Sequence, residues 1–458
     1  MDFLGIYCYY LCMKRDILYD LFSWSTSPHK KPLVLKGARQ VGKTWALLEF
    51  GKRHYEEKGY LCHYIDFRSA KELFSIFEET SNPAEIVKLL QFRLKIEINV
   101  QHDLLIFDEI QECPQAIISF KYFAQNMREL DIIAAGSHLG LMKNQESFPV
   151  GKVDFLYMFP LTFQEFLQAV DSDAFGILEE WEVNSALPGV VHDRLIDLWT
   201  VYLFTGGLPE VVQTWVDESA NIMRAISKVR TVQRNLIEGY RSDFSKYSGV
   251  VNAAYINYTF DAVSSQLSKV QDENVKKFMF KAVIPNRKGF DSIRGPLFWL
   301  RESRLIIKTG IAGKAFHPLR SYTDENRFKI FLFDTGILNC LLDIPGEVIL
   351  DKEIGPYKGF LIENYIAQEL YAYYNRDLLS WQEGTSELEF TMVNGKEIIP
   401  LEVKSASRQR RAKSLDAFIS RYAPRRALKL TGQNYGYSPD RGITTVPLYA
   451  CTQLLQKL

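Results

Sequence analysis

The chain has 458 residues, of which 47% are hydrophobic and 24% are charged, and its formal net charge is zero. At roughly 100–200 residues per domain, this length predicts about two to four folding units, each able to bury a core. Zero net charge argues against a uniformly basic protein that binds nucleic acid without selectivity, although a local basic patch remains compatible with it.

The cysteines and the N-terminus indicate the cellular compartment. The six cysteines contain no Cys-x-x-Cys pair, and no His-Glu-x-x-His run occurs, which favours reduced thiols in a cytoplasmic protein over disulfides or a zinc site. The apolar run of residues 1–12 precedes its positive charges, Lys14 and Arg15, and is too short to span a membrane, so it fits neither a secretory signal nor a spanning helix. We interpret residues 1–12 as an over-extended gene start, with a short hydrophobic anchor as the alternative, and expect no membrane partner.

Alternating helices and strands predict an α/β domain over residues 13–195. Residues 13–30 have a helical pattern, and the short apolar strand LVLK follows. Next come the helix TWALLEFGKRHYEEKG, the strand LCHYIDF, the helix AEIVKLLQFRLKIEI and the strands DLLIFDE and DIIAAGS. This alternation is typical of a parallel sheet with helices on both faces.

Beyond residue 195 the pattern changes to long helical stretches. Residues 196–320 are predicted to form a helical lid and a winged helix, because SIRGPLFWLRESRLIIKTGI reads as a helix that runs into a β-rich segment. Residues 321–458 contain the helix KGFLIENYIAQELYAYY and the strands ELEFTMV and EIIPLEVKS, which predict a second α/β unit. The aromatic residues of the middle region are interpreted as core in preference to a base-stacking surface; they include Phe278, Phe280, Phe298 and Trp299.

A phosphate-binding loop follows the first strand. Residues 37–44 match the pattern G-x-x-x-x-G-K-[ST] at every position; they are Gly37, Ala38, Arg39, Gln40, Val41, Gly42, Lys43 and Thr44. A strand before the loop and a helix after it are the context in which backbone N–H groups wrap a phosphate. We expect Lys43 to contact the β- and γ-phosphates of ATP and Thr44 to ligate Mg²⁺.

An acidic pair ends the strand LLIFDE. Asp108 is expected to hold the Mg²⁺ shell, and Glu109 is expected to polarise an attacking water, so Glu109 and Lys43 are the predicted catalytic residues. Ser137 ends the next strand, where its hydroxyl either contacts the γ-phosphate or forms part of an ordinary turn. The loop and the acidic pair together predict ATP hydrolysis.

The strings LVLKGARQVGKT, LLIFDEIQECP, IIAAGS and FLYMFPLTFQEFL resemble those of prokaryotic AAA-type ATPases of the AAA+ superfamily that are fused to the domain of unknown function 4143. The segments TGGLPEVV and FLFDTGIL resemble the later part of the same family. The resemblance implies an α/β fold with a P-loop NTPase parallel-sheet core, a helical and winged-helix middle, and a restriction-nuclease-like C-terminal α/β domain. It also implies that residues 43 and 44 are Walker A residues, that residues 108 and 109 are the Walker B pair, and that Ser137 is a sensor-like polar residue.

Two positions depart from the family pattern. His138 follows Ser137 where a small or polar residue is usual, and Lys152 stands where an arginine is common. A lysine lacks the bidentate fork of an arginine, so an arginine finger at that point is in doubt, and Arg39 is another candidate cation. In such ATPases a neighbouring subunit often contributes a residue to the ATP site, so the resemblance also suggests a homo-oligomer.

The resemblance also implies a second site near the C-terminus. Glu363, Glu389, Glu402 and Lys404 have the order and residue types of a PD-(D/E)xK nuclease. In that family, residues 389 and 402 would ligate Mg²⁺, and Lys404 would steady the attacking water or the phosphate. Residue 389 is usually aspartate, and the longer glutamate leaves both an active nuclease and an inherited, non-cleaving fold open.

A local basic excess follows this site and suits either a phosphate backbone or an ordinary solvated helix face. It consists of Arg408, Arg410, Arg411, Lys413, Arg421, Arg425 and Arg426. The leading hypothesis is an ATPase that couples its nucleotide state to DNA engagement. The alternative is a nucleotide-dependent regulatory switch that acts on a protein partner, with the C-terminal unit as a non-cleaving docking module.

Overall fold

A computed structural model describes residues 14–137, 139, 149, 151–269, 277–352, 358–404 and 413–458. The predictions for residues 1–12, His138, Arg408, Arg410 and Arg411 lie outside these residues. The chain forms two compact units, Met1–Phe159 and Pro160–Leu458. Each unit is described by itself below.

The boundary between the units differs from the predicted domain end at residue 195. The segment that begins at Pro160 is held by the second unit, because the backbone N–H of Leu161 donates to the Gly207 carbonyl at 2.7 Å. The hydroxyl of Tyr202 also donates to the Leu161 carbonyl. Residues 160–195 therefore belong to the second unit, which a local helical pattern could not reveal.

The first unit is built on a five-stranded parallel sheet with the order β2-β3-β4-β1-β5. The strands are β1 Leu33–Gly37, β2 Cys62–Asp66, β3 Leu104–Asp108, β4 Asp131–Gly136 and β5 Asp154–Met158. Every residue of β1 and β3 is buried, which explains their continuous apolar runs, since both faces of the sheet are covered. The predicted parallel core is confirmed, and β5 is a strand that the sequence analysis did not identify.

Five α-helices surround this sheet in the described part of the unit. They are Ile17–Ser25, Lys43–His54, Phe74–Glu79, Pro83–Leu94 and Pro114–Asn126. The sequence explains where two of these helices begin. Proline occupies the first turn of Pro83–Leu94 and of Pro114–Asn126, where its missing N–H costs no hydrogen bond. Aromatic side chains fill the core next to β3, with the rings of Phe67 and Phe107 5.3 Å apart.

The second unit begins with helices and ends in a mixed α/β arrangement. Its α-helices are Phe163–Val170, Ser172–Glu180, Gly189–Thr205, Pro209–Glu218, Ile222–Ser248, Val250–Ser268, Asp291–Glu302, Thr335–Leu341, Gly346–Leu350, Lys358–Tyr374, Lys413–Tyr422 and Cys451–Lys457. Its strands are β6 Ile306–Ala312, β7 Thr323–Leu332, β8 Leu378–Glu383, β9 Ser386–Asn394, β10 Glu397–Lys404, β11 Ala427–Thr431, β12 Gly436–Ser438 and β13 Ile443–Pro447. They form one eight-stranded mixed sheet, β12-β13-β11-β10-β9-β8-β6-β7.

The strands after the helix Asp291–Glu302 belong to the eight-stranded sheet, and the winged helix stays a prediction. β6 and β7 pair with each other in antiparallel fashion, as a wing would, but β6 also pairs in parallel with β8. The predicted boundary at residues 320 and 321 therefore separates two paired strands of a single sheet. Of the aromatic residues assigned to core, Phe278 and Trp299 are buried, whereas Phe298 is 43% exposed.

The segments TGGLP and FDTGIL, distant in sequence, pack against each other in the second unit. Asp334 accepts hydrogen bonds from the backbone N–H groups of Gly207, at 2.7 Å, and Ile337, at 2.9 Å. A Cβ atom on Gly336 would lie 2.2 Å from the Thr205 carbonyl oxygen, so only glycine allows this approach. The two segments thus form one structural element of this unit.

Across the described residues, no helix combines the length and the apolar character that crossing a bilayer would require.

Candidate nucleotide-binding site

The loop between β1 and the helix Lys43–His54 has the backbone shape that its glycines permit. Gly42 adopts a left-handed conformation with φ of 95°, directly before the helix begins. A Cβ on Gly37 would lie 2.4 Å from the carbonyl oxygen of Met158 at the end of β5. The first glycine is therefore required by the neighbouring strand and the second by the turn into the helix.

Lys43 is almost completely buried at the base of this loop. Its ammonium donates to the carbonyl oxygens of Gly37, at 3.1 Å, and Ala38, at 2.8 Å. Burial lowers the pKa of Lys43 to about 8, although the nearby carboxylates of Glu109 and Asp108 act in the opposite direction. The loop thus holds a cation that titrates close to physiological pH.

Thr44 and Asp108 meet at the carboxyl end of the parallel strands. The Thr44 hydroxyl donates to Asp108 Oδ2 at 2.5 Å, and the Tyr64 hydroxyl donates to the same oxygen at 3.0 Å. The other carboxylate oxygen accepts the backbone N–H of Glu109 at 2.8 Å. A hydroxyl and a carboxylate in contact are the hard oxygen donors that Mg²⁺ prefers, so the residues present fit this ion. The sequence analysis did not identify Tyr64.

Glu109 is held from two sides. Its carboxylate accepts hydrogen bonds from Arg68, which follows β2, and from the side-chain amide of Gln111. A Cβ on Gly136 would lie 2.2 Å from Gln111 Oε1, so the last residue of β4 must be small for Gln111 to reach Glu109. Arg68 and Gln111 were not predicted, although Gln111 belongs to the DEIQ string of the family resemblance.

Arg15 supports the loop from the N-terminal segment. Its side chain is only 5% exposed, and its guanidinium donates to the Val41 carbonyl at 2.8 Å and to the Phe159 carbonyl at 2.7 Å. Val41 lies within the phosphate-binding loop. Because both acceptors are backbone atoms, no sequence motif could have pointed to Arg15.

The remaining predicted residues lie at varied positions around the loop. Ser137 is buried directly after β4, the strand that lies between β1 and β3. Arg39 is partly exposed, and its charge acts on the pKa of Lys43. Lys152 lies shortly before β5, where its backbone N–H donates to Pro149 at 3.1 Å. A role for Lys152 or Arg39 in place of an arginine finger stays a prediction.

Three of the four predicted C-terminal residues, Glu389, Glu402 and Lys404, are brought together on the neighbouring strands β9 and β10, and Glu363 lies on the helix Lys358–Tyr374. The Lys404 ammonium lies 2.9 Å from Glu402 Oε1 and 3.7 Å from Glu389 Oε1. Glu389 Oε2 accepts the Val403 backbone N–H at 3.0 Å. Burial alone would lower the pKa of Lys404, but the carboxylates of Glu389, Glu402 and Glu363 outweigh it, so that the pKa is raised and the ammonium stays charged.

This cluster is only partly suited to Mg²⁺. Glu402 Oε2 is buried without a hydrogen-bond partner, which a cation could satisfy. Within the described ranges, however, no group of three His, Cys, Asp or Glu side chains is placed to hold a metal ion. The Lys404 ammonium lies within ion-pair distance of both carboxylates that were predicted to be metal ligands, and it offsets one of their two negative charges.

The described part of the predicted basic patch is partly neutralised. Arg421 lies 3.5 Å from the Glu383 carboxylate, and Arg426 lies 2.7 Å from the Glu397 carboxylate. The pKa of Glu397 is lowered mainly by its hydrogen bond with Arg426. These two arginines therefore have protein partners, and the solvated-face interpretation is favoured for them.

Three family models match successive parts of the chain. An AAA domain covers residues 29–167, a domain of unknown function (DUF8612) covers residues 196–348, and the domain of unknown function 4143 covers residues 358–451. The predicted combination of an AAA-type ATPase domain with the domain of unknown function 4143 is therefore confirmed. The nuclease-like and winged-helix assignments have no such match.

Several solved structures are similar to this chain. A Walker-type ATPase of Pyrococcus abyssi is 18% identical, with a TM-score of 0.46 over 72% of this chain and 96% of that chain. ORC1 of Aeropyrum pernix in complex with DNA is 13% identical, with a TM-score of 0.27 over 73% and 92% of the two chains. AMPPCP-bound DnaA of Aquifex aeolicus is 15% identical, with a TM-score of 0.27 over 62% and 85%. No curated protein matches the chain.

Proposed function

We propose that the first unit binds ATP with Mg²⁺ and hydrolyses it, and that the nucleotide state controls DNA engagement by the second unit. The observation that carries the proposal is the 2.5 Å contact between Thr44 and Asp108 beside the buried Lys43 and the tethered Glu109. The match of residues 29–167 to an AAA domain supports the same activity.

Each residue has a distinct role in this proposal. Lys43, which donates to two loop carbonyls, exchanges them for phosphate oxygens when the nucleotide binds. Thr44 and Asp108 would hold Mg²⁺, which would neutralise phosphate charge. Glu109 accepts a proton from the attacking water, and its bonds to Arg68 and Gln111 fix the direction in which its carboxylate points.

Mg²⁺-dependent ATP turnover by site variants tests the proposal. Lys43→Ala should lose nucleotide binding and turnover together, because it removes the buried cation. Glu109→Gln should bind ATP but turn it over at least about a hundredfold more slowly, as expected when a general base is lost. Matched controls on the exposed surface of the same unit, Lys88→Ala and Glu97→Gln, should behave as the wild type.

The alternative function is distinguished by the same assay. If the wild type binds ATP but shows no turnover, the ATPase proposal is wrong, and a nucleotide-dependent switch that acts on a protein partner accounts better for the site. If Lys43→Ala retains wild-type binding, the assignment of the loop itself is wrong.

For the second unit, we propose DNA engagement without cleavage at the C-terminal cluster. The ion pair of Lys404 with Glu402, at 2.9 Å, supports the absence of cleavage, because the ammonium offsets part of the carboxylate charge that would hold a metal ion. Glutamate at position 389, where aspartate is usual, also supports the absence of cleavage, because Mg²⁺ demands near-ideal octahedral geometry. Homo-oligomerisation and the nature of any protein partner stay predictions.

A further inference from the structure

A cavity of about 520 Å³ lies in the second unit. It is formed by the helix Val250–Ser268, residues 277–283, strand β7 and the helix Lys358–Tyr374. Its volume falls within the roughly 300–1,000 Å³ that is typical of small-molecule and cofactor sites. Of the predicted C-terminal residues, Glu363 lines the cavity, whereas the strand residues Glu389, Glu402 and Lys404 are not among its lining residues.

The inner walls of the cavity are apolar and aromatic. Phe278, Phe331 and Phe360 contribute buried rings, and Val263 contributes a buried aliphatic side chain. Aromatic walls of this kind favour a flat, weakly polar group that can lie against them. A fully hydrated or strongly charged group would not be stable there.

Hydrogen bonds hold one wall in place. The Gln266 side chain accepts the backbone N–H of Met279 and donates to its carbonyl, both at 2.8 Å. The backbone N–H of Phe278 donates to the Phe328 carbonyl in β7, also at 2.8 Å. The segment that carries Phe278 is thus fixed to a helix on one side and to the sheet on the other, so the cavity is preformed.

The charged groups at the cavity have a positive balance. Lys269, Lys277 and Lys281 are exposed and line it. The buried Lys329 is neutralised by an ion pair with Glu387. The opposing charge in the lining is Glu363, whose carboxylate can accept hydrogen bonds from N–H groups of a ligand.

We propose that this cavity receives one unpaired base of a single-stranded nucleic acid, with the backbone phosphates beside the three exposed lysines. The proposal rests on the DNA engagement proposed above and specifies the form of the nucleic acid. Stacking on aromatic side chains and lysine–phosphate contacts are the two forces that bind single strands. A paired base inside a duplex could not enter without being flipped out of its stack, so the cavity selects single strands. A fatty acyl chain would make no use of the Glu363 carboxylate.

Fluorescence anisotropy of the full chain with a labelled mixed-sequence single-stranded oligonucleotide tests the proposal. Ala262→Trp fills the cavity from the helix Val250–Ser268, whereas Ala254→Trp places the same side chain on an exposed position of that helix. Because stacking contributes about 1–3 kcal/mol per base, Ala262→Trp should weaken binding about 5-fold to 150-fold, and Ala254→Trp should leave it unchanged. ATP turnover without DNA should be normal in both, which shows that they are folded.

A charge test uses the salt dependence of the same binding. Changing Lys277 and Lys281 to Gln should lower the slope of log K against log salt by about 1.4, since each phosphate contact of a single strand contributes about 0.7. The control pair, Lys228→Gln and Lys314→Gln, removes the same charge from exposed positions elsewhere in the unit and should keep the wild-type slope.

The outcomes separate this inference from the function on which it rests. If the oligonucleotide binds and Ala262→Trp binds as tightly as Ala254→Trp, the cavity assignment is overturned while DNA engagement stands. If a labelled nucleoside monophosphate binds as tightly as the strand, the cavity belongs to a small nucleotide and the inference is wrong. If neither strand nor duplex binds, DNA engagement fails as well.

Discussion

Replacing Arg15 should weaken nucleotide binding although this residue is not part of the phosphate-binding motif. The guanidinium donates a buried hydrogen bond to the Val41 carbonyl at 2.8 Å and a partly buried one to the Phe159 carbonyl at 2.7 Å. Hydrogen bonds from charged donors contribute about 1.5–3 kcal/mol each, so Arg15→Ala should cost about 3–6 kcal/mol at most, with re-entering water reducing the loss. If only the bond to Val41 affects the shape of the loop, the variant should lose about 1.5 kcal/mol of binding free energy, which corresponds to a roughly tenfold higher Kd for Mg-ATP.

A titration with a fluorescent ATP analogue, paired with urea unfolding, measures both parts of this effect. Arg15→Lys should be intermediate, because one ammonium cannot reproduce the forked geometry of the guanidinium. The control is Lys14→Ala, which removes a neighbouring positive charge that is exposed. The reasoning is refuted if folded Arg15→Ala binds the analogue as tightly as the wild type, or if Lys14→Ala loses as much affinity.

Three further predictions concern the two sites. Because burial lowers the pKa of Lys43 to about 8, the charged fraction of Lys43 falls from about 90% at pH 7 to about 10% at pH 9, and ATP affinity measured by titration should fall over that range. Lys43→Arg should show no such fall with pH, whatever its affinity. A wild-type affinity that does not change with pH would contradict the pKa assignment. Gly136→Ala should displace Gln111 from Glu109 and reduce kcat more than ATP affinity in steady-state assays, and Gln111→Ala should reproduce the effect. An unchanged kcat in both variants would show that the hydrogen bond from Gln111 to Glu109 is irrelevant to turnover. Mg²⁺ should not support cleavage of single-stranded or duplex DNA by the wild type, and cleavage that disappears in Glu402→Ala would prove the non-cleaving assignment wrong.

The nucleotide-binding loop could be predicted from sequence because all eight residues of its motif are consecutive. The strand before it and the helix after it are also local features, and the apolar runs of β1 and β3 follow from burial on both faces. Asp108 could be predicted because it lies where a buried run ends. In the first unit, local pattern was therefore enough to predict that Thr44 and Asp108 lie close together and to predict most of the sheet.

What could not be predicted depends on contacts between distant segments. Arg15 donates to carbonyl groups 26 and 144 residues away. Because every residue has a backbone carbonyl, the residue types at these positions do not indicate that they accept hydrogen bonds from Arg15. The winged-helix prediction stays a prediction for a related reason. A helix followed by a strand pair has the same local pattern whether the strands form a wing or, as β6 does with β8, continue a larger sheet.

The C-terminal cluster shows a different limit of sequence reasoning. The i, i+2 spacing of Glu402 and Lys404 correctly placed both side chains on one face of β10. The spacing could not show whether Lys404 would leave the carboxylates available to a metal ion or form an ion pair with them. That outcome depends on distances of 2.9 Å and 3.7 Å, which only the folded strands define.

The measurement that tests the central proposal most directly is steady-state ATP turnover by the wild type with Mg²⁺, as a function of single-stranded oligonucleotide concentration. Coupling between nucleotide state and DNA engagement predicts that turnover changes saturably with the oligonucleotide. It also predicts that the half-saturating concentration matches the Kd from anisotropy and that Lys43→Ala shows no turnover at any concentration. Turnover that is absent throughout, or that is the same at zero and saturating oligonucleotide, would contradict the proposal.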